Sequence, residues 1–204
     1  MPQPCQSNDP DSPDPLASIR SKYREVAQAA SGHFPYPVGR ESALKLGYLP
    51  EWLDGVPAAA LDRFVGVGNP FEIERPRHGW SVLDAGCGTG VDTLIAARLV
   101  GQQGKAVGVD ATPEMVAVGR QAAKDAALGN TEFHEVNIES LPFSDASFDQ
   151  VISNGVLNLL ANKAAGFQEL HRVLKPGGVM ALADLLLMEN LPDEVKRDPA
   201  AWAG

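Results

Sequence analysis

From Trp80 onward, short apolar runs alternate with stretches of helical spacing. The runs Ser81–Asp84, Ala106–Asp110, Thr131–Val136, Asp149–Ser153 and Val179–Asp184 read as strands. Between them, Val91–Val100 places Val91, Leu94, Ile95 and Leu99 on one helical face. Pro113–Ala127 does the same with Met115, Val118, Ala122 and Ala126, and Asn162–Leu174 with Phe167, Leu170 and Leu174. Thr112-Pro113-Glu114 reads as a helix start: a hydroxyl cap, then proline, then an acid facing the dipole. Lys175-Pro176-Gly177-Gly178 reads as a stop and turn before the last strand. Strand–helix alternation with short connections predicts right-handed crossovers and a mostly parallel sheet, an α/β doubly wound, Rossmann-like fold.

The chain before Trp80 differs. Residues 1–15 hold five prolines and three aspartates with almost nothing apolar, so they are expected to form a disordered tail. Leu16–Ala30 carries Leu16, Ile19, Tyr23, Val26 and Ala30 at helical spacing, and Gly32 ends it. His33–Pro70 is rich in aromatics and broken by Pro35, Pro37, Pro50 and Pro57. That much apolar surface predicts a cap of short helices rather than a linker. The expected layout is a tail (1–15), a helical N-terminal cap (16–78) and a ligand-binding domain (79–204).

Composition narrows the function. With 26 acidic and 17 basic residues the net charge is -9, so the basic footprint of a nucleic-acid binder is absent. The apolar stretch Val179–Met188 is interrupted by Asp184 and too short to span a bilayer, so no membrane partner is expected. No basic-then-apolar leader opens the chain, which points to the cytoplasm. Two cysteines make neither a disulfide scaffold nor a Cys-rich zinc module, and no metal site is expected.

The chemistry concentrates in Val82-Leu83-Asp84-Ala85-Gly86-Cys87-Gly88-Thr89-Gly90, which ends the first strand and opens a helix. Its glycines let the backbone turn and approach a ligand. Asp110 closes the next strand, 20 residues beyond Gly90, where such folds place a carboxylate for ribose hydroxyls. The spacing Gly-x-Gly-x-Gly departs from the dinucleotide pattern, and Asp84 would repel a pyrophosphate. Both observations argue against a nicotinamide dehydrogenase. A carboxylate there suits an adenosine bearing a cationic amino-acid tail, which is S-adenosylmethionine.

These motifs resemble those of class I S-adenosylmethionine-dependent methyltransferases. The resemblance runs through Leu83–Gly90, Gly108-Val109-Asp110, Leu141-Pro142-Phe143, Ser147-Phe148-Asp149 and Arg172–Gly178. A narrower resemblance, to the arsenite methyltransferase branch, lies in Tyr36–Leu49, Gly66-Val67-Gly68-Asn69-Pro70, Ser153–Leu159 and Asp198–Gly204. It implies strand order 3-2-1-4-5, the first five strands of a seven-strand sheet whose last two are missing. The fifth strand would then be an exposed apolar edge, and the expectation is either a homodimer through it or a chain that is a shortened form of a longer one.

The resemblance also implies site residues. Asp84 would orient the methionine amino group, with Gly86, Cys87, Gly88 and Gly90 forming the loop. Asp110 would accept from the ribose, beside Ala111, Thr112 and Met115; core packing is an equal reading for Met115. Asn137, Ile138 and Glu139 would read the adenine edge. Ser153 and Asn154 would stand at the rim, Asn154 facing either the methionine carboxylate or the acceptor. No catalytic residue is named; His33, Tyr36, Glu41 and Asp54 are the base candidates. Tyr48 and Trp52 would line an acceptor pocket or fill the cap's core, and Arg40 would pair with Glu41 at the surface.

The arsenite branch holds arsenic on cysteine thiolates, since a soft centre prefers sulfur. Here Val65 and Val67 flank Gly66, Gly155 stands in the Ser-Asn-Cys position, and that branch's C-terminal cysteine would fall beyond Gly204. Cys5 is in the tail and Cys87 in the glycine loop. Two thiols so placed are not expected to chelate one arsenic. The expectation is a methyltransferase acting on a small-molecule acceptor, the alternative a non-catalytic S-adenosylmethionine-binding or interaction protein.

Overall fold

The computed structural model describes residues 15–30, 32–34 and 36–186. The proposed tail up to residue 14 and the Asp198–Gly204 motif lie outside the described residues. Pro15, assigned to the tail from sequence, instead opens α1 (Pro15–Gln28), where its fixed φ suits a first turn. Short helices follow, as expected for the cap: α2 (Gly39–Lys45), α3 (Pro50–Leu53), α4 (Ala58–Leu61) and a 3-10 turn at Pro70–Glu72. The cap is not a separate unit. Ala43, Tyr48, Leu53 and Phe64 share one core cluster with Val82, Leu94 and Ile152 of the sheet domain. Tyr48 and Trp52 both meet the Phe71 ring edge-on, so both belong to this core. Arg63 holds the end of α1, donating to the carbonyls of Ala27 (2.7 Å) and Gln28 (2.8 Å), where a helix favours a cation.

The sheet is parallel, in the order β3-β2-β1-β4-β5, as expected. Its strands are β1 (Ser81–Ala85), β2 (Lys105–Asp110), β3 (Thr131–Glu135), β4 (Phe148–Asn154) and β5 (Leu174–Ala183). Alternation along β1 builds the layers. Val82 packs with Leu94 and Ile95 of α5 (Val91–Val100) and Val116 of α6 (Pro113–Asp125). Leu83 and Ala85 face the other way, toward Leu170 and Val173 of α7 (Lys163–Val173). A strand covered on both faces reads as a largely apolar run, which is why β1, β2 and β4 are visible in sequence. No described helix is long and apolar enough to cross a membrane.

Three local expectations are corrected. Lys175–Gly178 does not precede the last strand but bulges within it. Leu174 already pairs with Phe148, and Val179 resumes opposite Gln150. Gly177 has φ +79°, and a Cβ on Gly178 would come within 2.8 Å of the Asp149 carbonyl oxygen, so neither position takes a side chain easily. Thr112 occupies the N-cap of α6, but its side chain makes no capping hydrogen bond. Arg40 pairs with Asp54, and Glu41 with Lys45.

The Leu141-Pro142-Phe143 motif is tied to α7 by one ion pair. Arg172 donates to the carbonyls of Phe143 (2.7 Å) and Leu141 (3.0 Å) and to Glu169, whose other role is to accept from Leu141 N–H at 2.7 Å. The Arg172 guanidinium holds the Glu169 carboxyl down to about 2. A depressed carboxyl stabilises the fold above its unfolded value and loses that contribution as pH falls toward the folded one. Glu169→Gln is therefore expected to lower the melting temperature at neutral pH. Its deficit against the parent chain should narrow as pH falls from about 4.5 toward about 2. Thermal melts across that range check this.

Candidate functional site

The C-terminal ends of β1, β2 and β4 carry Asp84, Asp110 and Asn154 at one edge of the sheet, where open α/β sheets bind ligands. A cleft of about 1000 Å³ opens there, lined also by Ile19 and Tyr23 of α1 and by Phe64–Gly66 of the cap. The loop after β1 folds back on β2: Gly86 and Cys87 both donate N–H to the Val109 carbonyl (2.8 and 2.9 Å). Gly88 has φ +51°, and a Cβ built on it meets nothing within 4 Å, so its backbone faces open space. Gly90 (φ +87°) is needed for another reason: a Cβ there would strike the Phe133 ring at 2.6 Å.

Three carboxylates converge beneath this loop. Asp84 accepts from the Thr93 hydroxyl at 2.6 Å and is 2% exposed. Asp92, in the first turn of α5, accepts from the Tyr48 hydroxyl at 2.7 Å and from Asn154 Nδ2 at 3.2 Å. Asp110 accepts from Gly88 N–H at 2.9 Å and Thr112 N–H at 2.8 Å, one on each oxygen. Burial raises all three acids. For Asp84 the neighbouring Asp92 charge pushes the same way, so its carboxyl lies well above the usual range. Asp92 rises only to about 6, because the Tyr48 and Asn154 donors oppose burial. No basic side chain of the described residues contributes to any of these shifts. Burial, then the charges of Asp84 and Asp110, push the Cys87 thiol well up, so this cysteine stays protonated and inert.

Of the residues expected at the site, Asp84, Gly86, Cys87, Gly88, Asp110, Ala111, Thr112, Met115, Asn137, Ile138 and Asn154 line the cleft. Gly90, Glu139 and Ser153 do not. Gly90 caps α5. Glu139 accepts from Asn162 N–H at 2.9 Å. Ser153 is buried, donating its hydroxyl to the Ala85 carbonyl at 2.7 Å. Met115 packs against Val26, Ala27 and Ala30, the core reading, and also lines the cleft. His33, Tyr36, Glu41 and Asp54 lie away from its lining. Asn154 is occupied by the cap: its Oδ1 accepts from Val67 N–H (2.8 Å) and Gly68 N–H (3.2 Å), and its Nδ2 donates to the Gly68 carbonyl (2.8 Å). Sequence reading missed Asp92 and its bond to Tyr48. An acid in the first turn after a glycine loop was the available signal; the tyrosine, 44 residues away, gave none.

Residues 76–204 match a family described as a methyltransferase domain. The chain is 39% identical over 160 residues to an arsenite methyltransferase of Halobacterium salinarum, covering 78% of this chain and 41% of that protein. It is 37% identical over 113 residues to a demethylmenaquinone methyltransferase of Listeria welshimeri, covering 55% of this chain and 48% of that protein. Among solved structures, an arsenic(III) S-adenosylmethionine methyltransferase from Chlamydomonas reinhardtii aligns with TM-score 0.68 and 39% identity over 75% of this chain and 56% of the other. The chain thus spans less than half the length of either curated relative. On fold, loop and kinship alike, the chain belongs to the class I S-adenosylmethionine-dependent methyltransferases, in their arsenite methyltransferase-like branch.

Proposed function

We propose that this chain binds S-adenosylmethionine in the cleft and transfers its methyl group to a small-molecule acceptor. The observation that carries this is the convergence of three buried carboxylates, none ion-paired with a basic side chain of the described residues, under a glycine loop that faces open space. Buried charge needs an opposite charge, and a cationic ligand supplies it. Each Asp110 oxygen takes one backbone amide and keeps acceptor capacity for a ribose hydroxyl. Asn137 Oδ1 accepts from Glu139 N–H at 3.0 Å, which leaves its amide donors for the adenine edge. Met115 and Ile138 supply apolar walls. When bound, the cofactor supplies an electrophilic methyl on a sulfonium. Displacement neutralises that charge, so the chain's part is to align the reactants and exclude water.

The acceptor end of the cleft carries Phe64, Val65, Val156 and Leu159. A Cβ added to Gly155 would lie 3.2 Å from Val67 Cγ1, so the Ser-Asn-Cys position and the Gly66 turn meet here as glycine and valine. The Cys87 thiol is buried and held protonated. These features support an acceptor that is not gripped by thiolates. Full-length chain with labelled S-adenosylmethionine is expected to methylate at least one member of a panel of small carbon, nitrogen and oxygen nucleophiles, and not arsenite with glutathione. Turnover of arsenite would overturn the acceptor class. Cofactor binding with no transfer to any acceptor would favour the non-catalytic alternative.

Two substitutions separate ligand binding from folding. Gly88→Ala projects a methyl into the open cleft from a left-handed residue, costing about 1–2 kcal/mol of stability. S-adenosylmethionine affinity, measured by calorimetry, should fall by at least about tenfold, more than that strain accounts for. Asp84→Asn should do the opposite to stability. A carboxyl raised on folding binds more protons folded than unfolded, so it costs stability as pH rises above about 4. The ligand-free variant should melt above the parent chain at neutral pH and converge with it near pH ~4.

A further inference from the structure

We propose that Asp92 is the carboxylate that answers the cofactor's positive charge, and that Tyr48 and Asn154 are positioning residues that carry its charge to the cap turn at Val67 and Gly68. The inference rests on the methyltransferase reading and assigns the cation subsite within it.

Asp84 is the obvious choice from sequence, but the geometry favours its neighbour. Asp84 sits at the strand end with the Thr93 hydroxyl on Oδ2, as its one side-chain donor. Asp92 lines the same cleft and stands in the first turn of the ten-residue α5, where the helix field favours an anion. It has two side-chain donors, the Tyr48 phenol and the Asn154 amide. The groups that face it are Tyr48 from the cap, Asn154 from β4, and Asp84 from β1, itself within the field of Asp110 on β2. None is cationic. Asp84 also has the Thr93 N–H, so the helix field on Asp92 decides: of two repelling acids, the one whose charge is better supported ionises first. Asp92 is therefore the acid of the pair that ionises first, and burial and that charge push the Asp84 carboxyl further up.

The donors on Asp92 also build the cap. Asn154 Nδ2 reaches Asp92, Tyr48 Oη (3.0 Å) and the Gly68 carbonyl, while its Oδ1 holds Val67 and Gly68 by their N–H groups. An ionised Asp92 pulls the phenol and the amide into one network, and the cap turn is fixed by the same amide. A protonated Asp92 accepts less well, and the network slackens. A cation in the cleft favours the ionised form, so it tightens the wall that borders it.

The test is calorimetric titration of the full chain with S-adenosylmethionine, and with adenosine as the uncharged control, from about pH 5 to about pH 7. S-adenosylmethionine is expected to gain about five- to tenfold in affinity across that range as Asp92 ionises, and adenosine to gain nothing comparable. Asp92→Asn should flatten the gain. Asp84→Asn should keep it. Tyr48→Phe, which removes one donor, should move its midpoint to higher pH, a readout that a purely structural tyrosine would not change. If Asp92→Asn fails to fold, the Tyr48→Phe shift still decides. The inference is overturned if Asp92→Asn retains the parent gain, if Asp84→Asn abolishes it, if adenosine shows it too, or if Tyr48→Phe leaves the midpoint in place. Binding of S-adenosylmethionine without a pH gain sinks this inference alone; absence of binding sinks the methyltransferase reading with it.

Discussion

Burying three carboxylates with no ion-paired counter-charge among the described residues is the constraint on which the rest of this structure turns. Asp84, Asp92 and Asp110 are gathered at the ends of two strands and the start of a helix. Each is hydrogen-bonded, but only by neutral groups: a threonine hydroxyl, a phenol, an amide and backbone N–H donors. Neutral donors offset part of the desolvation and none of the mutual repulsion. The ligand-free site therefore meets its burial cost partly by holding protons, as the raised Asp84 and Asp92 carboxyls show.

The scaffold keeps that cost from unfolding the site. The β1 loop is fixed by two amides on the Val109 carbonyl, and Asp110 pins Gly88 and Thr112 in turn. On the other side the cap is fastened by bonds that reach across the chain. Thr89 Oγ1 donates to the Ala60 carbonyl at 2.9 Å, and Arg98 donates to the Gly55 carbonyl. Because cap and sheet share one apolar cluster, docking the cap and closing the cleft are a single packing event. The aromatic run that marked the cap in sequence is the material of that event.

What was legible in sequence follows from this division of labour. Strands covered on both faces announce themselves as apolar runs, and helices between them by spacing, so the sheet and the glycine loop could be read, while the strand order came from the family resemblance. Lys175–Gly178 misled because proline and glycine mark a turn wherever it sits, including a bulge inside β5. Thr112 misled because a hydroxyl at an N-cap position has a choice of partners, and Asp110 is close enough to compete with the helix. Ser153 fell beside a motif residue without facing the cleft, since neighbours in sequence on a strand point to opposite sides, and Glu139, in the turn after β3, is taken up by the Asn162 N–H. Asp92–Tyr48–Asn154 was illegible for a different reason. Its members come from α5, the cap and β4, and only the folded chain brings them together.

That convergence bears on how the two ends of the cleft communicate. Asn154 touches the acid of the cofactor end through Nδ2 and the cap turn of the acceptor end through Oδ1. A planar amide cannot rotate toward one partner without releasing the other. The apolar wall at Val67 and Gly155 is thus set by the same group that balances Asp92. An acceptor arriving before the cofactor would meet a wall whose anchor is shared with an under-compensated carboxylate. One arriving after it would meet a wall held by a fully charged network.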